Sequence, residues 1–193
     1  MTEYEKMISG LPFDGGDESI TTLRDRAFSL QHQIAHCASF DATQPLFRAL
    51  LGAVGEGSLI RTPFSCEFGQ TISIGRNTFL NTGVVMLDGA PISLGDNVMV
   101  GPSVQFYSAS HSLNHLERRQ WQTICQPIRV ENDAWIGGNA VINQGVTIGA
   151  RAIVAANSVV NRDVPADCLV GGAPARVLKR LDGTESVDGH ERG

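Results

Sequence analysis

Branched aliphatic side chains recur at every sixth position over the second half of this chain: Val130, Ile136, Ile142, Ile148, Val154 and Val160. A step of six suits neither the helical turn of about 3.6 residues nor the strict alternation of a half-buried strand. It fits a parallel β-helix, in which each six-residue stretch is one face of a coil and the repeating apolar side chain stacks inside a prism. Four residues after each column member stands a second small or β-branched residue: Ala134, Ala140, Val146, Ala152, Ser158 and Val164. The position directly after the column is small or turn-prone (Gly137, Asn143, Gly149, Ala155, Asn161), as expected where the backbone turns a corner.

The repeat extends upstream with interruptions. Phe68, Ile74, Leu80 and Met86 keep the step, and Leu94, Val100 and Phe106 resume it after a two-residue insertion around Asp88-Gly89-Ala90-Pro91. Between Phe106 and Val130, 24 residues apart, the pattern stops and the chain from Ser108 to Gln120 turns polar. Because that separation is a multiple of six, the coil can leave and re-enter in phase. Long excursions from compact domains are uncommon and often functional. This one, over about 107–127, carries His111 and His115, two of the five histidines.

The 193 residues, 42% of them hydrophobic, suffice for one domain with a real core. A net charge of −5 disfavours a nucleic-acid partner. No apolar run approaches the roughly 20 residues that a membrane-spanning helix needs, and the opening residues do not read as a signal peptide. Four cysteines (Cys37, Cys66, Cys125, Cys168) stand far apart, which predicts free thiols in a cytoplasmic protein. Ahead of the prism, residues 1–56 form a helical cap. In Thr21–Ser39, Leu23, Ala27, Leu30 and Ile34 fall within about 60° on a helical wheel, and a second helix is expected over Pro45–Val54. A solenoid needs its open end covered, and these helices can cover it. The β-helix occupies 57–181, ending in a Gly171-Gly172-Ala173-Pro174 turn and a short helix over Ala175–Leu181, before a polar tail over 182–193.

His111 is the candidate general base, since imidazole exchanges protons near neutral pH and a loop histidine can reach a pocket; a plain surface histidine is the alternative. His111 and His115 are too few for the three or four ligands of zinc, and His32 and His36 lie on the polar face of their helix, so no metal is expected. Asp88 breaks the hexad pattern and offers a carboxylate to sugar hydroxyls, or serves as a turn former. Asn81, at a coil corner, is equally divided. Arg162, Arg176, Lys179 and Arg180 make a local basic excess suited to the phosphates of a nucleotide-like cofactor, or merely to solvent.

The segment Val170-Gly171-Gly172-Ala173-Pro174-Ala175-Arg176-Val177 resembles the C-terminal signature of hexapeptide-repeat acyltransferases. Ile72-Ser73-Ile74-Gly75-Arg76-Asn77, Met86-Leu87-Asp88, Ile92-Ser93-Leu94-Gly95-Asp96-Asn97, Trp135-Ile136-Gly137-Gly138 and the opening Glu5-Lys6-Met7-Ile8-Ser9-Gly10 are similar to the maltose/galactoside O-acetyltransferase branch, over about residues 3–181. The resemblance implies a left-handed β-helix, a homotrimer with active sites between adjacent prisms, and transfer of an acetyl group from acetyl-CoA to a hydroxyl of a sugar or related acceptor. It also assigns roles. His111 matches the catalytic histidine. Asp17, Asn81 and Asp88 match acceptor-binding positions, and Gly138, Ala156, Asn161, Arg162, Arg176 and Lys179 match coenzyme A contacts. Backbone N–H groups near Gly137-Gly138 are candidates for stabilising an oxyanion.

The chain departs from galactoside-type members at Gly89, where they have a second aspartate, and at Glu67, where they have a serine. Asn161-Arg162 stands where the family often has Thr-Lys. Rival readings are a xenobiotic acetyltransferase, an inactive β-helix scaffold, and a γ-type carbonic anhydrase, which would need three zinc-binding histidines.

Overall fold

A computed structural model describes residues 1–119 and 123–181; the tail from 182 onward, with His190, lies outside the described residues. The apolar column closes into a prism with three β faces. The first stacks Ala53–Val54, Ile72–Ile74, Ile92–Leu94, Ile128–Val130 and Thr147–Ile148. The second stacks Leu59–Ile60, Phe79–Leu80, Met99–Val100, Trp135–Ile136, Ile153–Val154 and Cys168–Gly172. The third stacks Phe64–Cys66, Val84–Leu87, Gln105–Tyr107, Val141–Asn143 and Val159–Val160.

Within each of these stacks neighbouring strands run parallel, and the column sets their register. Val54 lies beside Ile74, Ile74 beside Leu94, Leu94 beside Val130 and Val130 beside Ile148, steps of 20, 20, 36 and 18 residues. Three hexads make the last step, so the first two coils each carry two extra residues and the third a long excursion. The secondary positions Ala134, Ala140, Val146, Ala152 and Ser158 are all buried alongside the column, while Val164 instead stands in the column beside Ile148, because the last coil is two residues short. Corners turn through the left-handed region on the third residue after a column member, at Asn77 (φ 52°), Asn97 (φ 58°), Asn139 (φ 57°) and Asn157 (φ 59°), where asparagine is tolerated. Gly137, directly after the column, is required for a different reason: a Cβ there would lie 2.6 Å from the backbone N of Ala156 in the next coil.

Three elements differ from the sequence reading. The column bypasses Phe68, which packs instead with Met7 and Ile20 of the cap. Cys66 and Ile74, eight residues apart, are the true neighbours; the two-residue insertion puts Phe68 falsely in phase. The second cap helix starts earlier than Pro45: α1 is Glu3–Ile8, α2 is Glu18–Ala35 and α3 is Phe40–Leu50, because the Ser39 hydroxyl caps α3 by accepting the Ala42 N–H at 3.3 Å. Most consequentially, Ala175–Arg180 is a strand, not a helix. It folds back antiparallel on Cys168–Gly172, with Val177 opposite Val170, and so pairs the last open strand edge of the second face.

The cap closes the other end. Ala27, Ile34, Phe47, Leu50 and Leu51 belong to the same apolar core as the prism column. The Phe47 ring meets Phe64 edge-on, with centroids 5.5 Å apart.

Candidate active site

All three insertions into the eighteen-residue coil occur at one corner, between the third and first faces. In the first coil the extra residues make a ledge over Glu67–Gly69, in the second they are the Asp88–Ala90 insertion, and in the third the chain leaves as a two-stranded ribbon. In that ribbon Ala109–His111 pairs antiparallel with Thr123–Cys125, placing His111 opposite Thr123. The ribbon is clasped at its base by Ser108, which is buried. Its hydroxyl donates to the Leu87 carbonyl at 2.7 Å and accepts the Ala90 N–H at 2.9 Å, while its carbonyl accepts the Gln126 N–H at 2.9 Å. Just beyond His111, the Ser112 hydroxyl donates to Glu117 at 2.5 Å and Arg118 donates to the Ser112 carbonyl at 3.0 Å, which holds the short helix α4 (His115–Arg118) against the ribbon.

Together these features enclose a cleft of about 1550 Å³. Glu67, Phe68 and Gly89 form its floor, His111 and Glu117 one wall, and Phe13–Gly16 of the cap the other. Arg24 ties cap to floor. Its guanidinium pairs with Glu67 at 3.2 Å, stands 5.4 Å from the centre of the Phe68 ring and donates to the Gly15 carbonyl at 3.4 Å.

The residues singled out from the sequence fall into separate groups. His111 and Asn161 share this cleft. Asn81, Gly138 and Ala156 line a second cleft of about 450 Å³ over the second face, beside Met99 and Trp135. Arg162 and Arg176 are exposed and, with Lys179, line neither.

Two of the expected acceptor residues, Asp88 and Asp17, are engaged by hydrogen bonds within the chain. Asp88 is fully buried, and both its oxygens are taken: Oδ1 accepts the Glu67 and Phe68 N–H groups at 2.9 and 3.0 Å, and Oδ2 accepts the Gly69 N–H at 2.7 Å and the Thr71 hydroxyl at 2.6 Å. It builds the floor of the cleft instead of facing its contents. Asp17 is the N-cap of α2; its carboxylate accepts the Ser19 N–H at 2.9 Å, and its hydrogen bonds to Ser19 hold it below the usual carboxylate range. Asp14, three residues earlier, is the cap carboxylate that lines the cleft. The Asp14-Gly15-Gly16 turn was the signal for it. The Gly137 N–H is also committed, donating to the Val154 carbonyl at 2.7 Å.

The thiol of Cys125 lies in the floor beneath the ribbon, and burial pushes it up to about 12, with the nearby Glu67 charge adding to the effect. It is a neutral thiol and a poor nucleophile. His32 on α2 and His36 at its C-cap have ring centres 4.3 Å apart, and His36 Nδ1 is 2.7 Å from the His32 carbonyl. Among the described residues no three His, Cys, Asp or Glu side chains gather in an arrangement suited to a metal ion.

Three family models match the chain in order. Residues 6–55 match the maltose acetyltransferase hexapeptide capping motif, 71–102 the hexapeptide repeat of succinyl-transferase, and 127–162 the bacterial transferase hexapeptide of six repeats. Nodulation protein L of Rhizobium meliloti is 39% identical over 178 residues, covering 91% of this chain and 97% of its own. This chain belongs to the maltose/galactoside O-acetyltransferase family. As a member of it, the chain is an acetyltransferase of the O-acetyltransferase type. Two solved structures extend the likeness to the whole fold. A hexapeptide-repeat acetyltransferase from Vibrio cholerae, complexed with acetyl coenzyme A, is 56% identical, with a TM-score of 0.91 over 94% of this chain and 100% of its own. A maltose O-acetyltransferase from Clostridium difficile is 33% identical, with a TM-score of 0.92 over 94% of this chain and 98% of its own.

Proposed function

We propose that this acetyltransferase moves an acetyl group from acetyl-CoA to a hydroxyl of a sugar or related acceptor, with His111 as general base. The observation that carries this reading is the placement of His111 on a clasped ribbon at the wall of a large cleft. The cleft also offers aromatic side chains (Phe13, Tyr107) and carboxylates (Asp14, Glu67) of the kind that hold polyhydroxylated rings. The Vibrio relative's complex with acetyl coenzyme A supports the donor, and likeness to the Clostridium maltose O-acetyltransferase supports a sugar acceptor.

In this mechanism His111 takes the acceptor hydroxyl proton as the oxygen attacks the thioester carbonyl. The tetrahedral intermediate collapses by expelling the thiolate, and the imidazolium returns its proton to that sulfur. No side chain becomes acylated. Asn161, in the same cleft, and Arg162, Arg176 and Lys179 near the end of the prism are assigned to coenzyme A.

The reading extends to assembly. The outward residues of the second face run in register as Leu59, Phe79, Met99, Trp135, Ile153 and Leu169, an unbroken apolar ladder in which Met99 and Trp135 are 56% and 52% exposed. The matching ladder on the first face is Ala53, Ser73, Ser93, Arg129 and Thr147. An apolar patch of this extent on one face calls for a partner. A homotrimer covers it and sets the His111 cleft of one copy against the second cleft of the next, uniting His111 and Asn161 with Asn81, Gly138 and Ala156.

Thiol release from acetyl-CoA over a panel of glucose, maltose, thiogalactosides, chitooligosaccharides, serine and chloramphenicol tests this function. Release that depends on a sugar supports it. Release only with chloramphenicol favours the xenobiotic reading, and no release together with no saturable acetyl-CoA binding favours a scaffold.

A further inference from the structure

Gly89 stands at a corner without needing a left-handed backbone. It is the third residue after the column member Met86, a position that turns through positive φ at Asn77, Asn97, Asn139 and Asn157, yet it, like Ala109 and Asp163, is absent from the positive-φ residues. Its backbone therefore accepts any side chain. What forbids one is the ribbon: a Cβ at 89 would lie 2.7 Å from Cys125 Sγ, with Ala109 Cβ at 3.6 Å and Cys125 Cβ at 3.8 Å. Ala109 and Cys125 are directly paired across the ribbon, and His111 lies two residues from Ala109 on the same strand, so the two side chains share one side of it. Cys125 is also packed from the cap side, where a Cβ at Gly10 would come within 2.9 Å of its carbonyl oxygen.

We infer that Gly89 and Cys125 form a steric seat that fixes the height of the His111 ribbon above the prism, making both positioning residues for acetyl transfer. The thiol fills the space that the missing side chain at 89 leaves, and the Ser108 clasp holds the ribbon's base while this contact sets its tilt. A side chain at 89 lifts the ribbon and moves the imidazole away from the acceptor oxygen. It leaves the second cleft and the basic residues at the prism end, which are assigned to the donor, where they are. The inference rests on the proposed role of His111.

The test is a compensating pair. Gly89→Ala is expected to lower kcat by ~10²-fold, the scale of a misplacement of about 1 Å, while KM for acetyl-CoA stays within about twofold. Cys125→Ala alone removes Sγ and is expected to change kcat by less than about tenfold, since the ribbon loses contact but meets no clash. The double variant Gly89→Ala/Cys125→Ala adds one methyl and deletes one sulfur, and is expected to return kcat to the level of Cys125→Ala. Should Gly89→Ala fail to fold, recovery of a cooperative thermal transition in the double variant supports the seat as well. The inference is overturned if Gly89→Ala turns over at the wild-type rate, or if the double variant is as slow or as unfolded as Gly89→Ala. A fully active His111→Ala would instead sink the role of His111, while the thermal coupling between positions 89 and 125 would still report on the contact itself.

Discussion

Asp88 and Phe68 are joined by a 3.0 Å hydrogen bond, in which a buried carboxylate accepts the backbone N–H of the residue that docks the cap onto the prism. The same carboxylate accepts from Glu67, Gly69 and Thr71, so a single side chain organises the ledge on which the cleft and the cap both rest. Asparagine has one acceptor oxygen and would turn an amide N–H₂ toward donors. Each donor left unpaired in a buried site costs about 1–3 kcal/mol. Asp88→Asn is therefore expected to lower the denaturation midpoint by an amount matching at least one such loss, and Thr71→Val by less. A wild-type midpoint for Asp88→Asn would mean that the carboxylate does not hold the ledge.

His111→Ala is expected to retain the wild-type circular dichroism and melting temperature, because the side chain projects from a ribbon held by Ser108 and by its own strand pairing. Turnover should fall by ~10²–10⁴-fold, the usual contribution of a general base, with KM for acetyl-CoA little changed. Steady-state kinetics with the best acceptor reads both. Near-wild-type kcat would remove His111 from the chemistry.

The prism was legible because its signal is one-dimensional: six successive column members and their secondary positions leave no other regular structure. What the spacing could not show was where insertions fall relative to it. Phe68 sits six residues before Ile74 and so counterfeits a column member, although the chain has slipped by two residues and turned it toward Met7. Ala175–Arg180 has the composition of a helix, and the need to pair a strand edge overrode that propensity. At the site, His111 stood out because it lies in a break of the pattern. Asp88 stands out for the same reason, but residue type cannot distinguish a carboxylate facing ligand from one facing three backbone N–H groups. Asp14, Arg24 and Tyr107 carried no periodic signal, and only the folding of the cap against the ribbon brings them together.

The apolar ladder of the second face makes a prediction about assembly. Trp135 lies at its centre, between Met99 and Ile153, and in the proposed homotrimer a lysine there would place a charge in the buried middle of the interface between copies. Light scattering is expected to give a trimer mass for the wild type and a single-chain mass for Trp135→Lys. Acetyl transfer should disappear with the trimer, because the two clefts then no longer meet. A variant that keeps the trimer mass would show that another face mediates assembly.

Acid stability should depend on two corner ion pairs that bridge successive coils. Arg76 donates to Asp96 through Nε at 3.1 Å and Nη2 at 2.8 Å, and Arg151 donates to Asp167 through Nε at 2.6 Å and Nη2 at 2.7 Å. In each pair the arginine hydrogen bond is the main cause that holds the aspartate below its ordinary range. A carboxyl whose folded value is depressed adds stability above its unfolded value, near pH ~4, and loses it as pH falls through the folded value. The pairs are solvent-exposed, so each contribution is small and screened by salt. The Asp96→Asn/Asp167→Asn variant is accordingly expected to melt below the wild type at pH 7, with the gap closing as pH falls from about 4 through the depressed folded values, below which both proteins carry neutral side chains at these sites. Calorimetry across that range in low salt measures the gap. A gap that stays constant with pH would mean that packing at the corners, not ionisation of the aspartates, accounts for it.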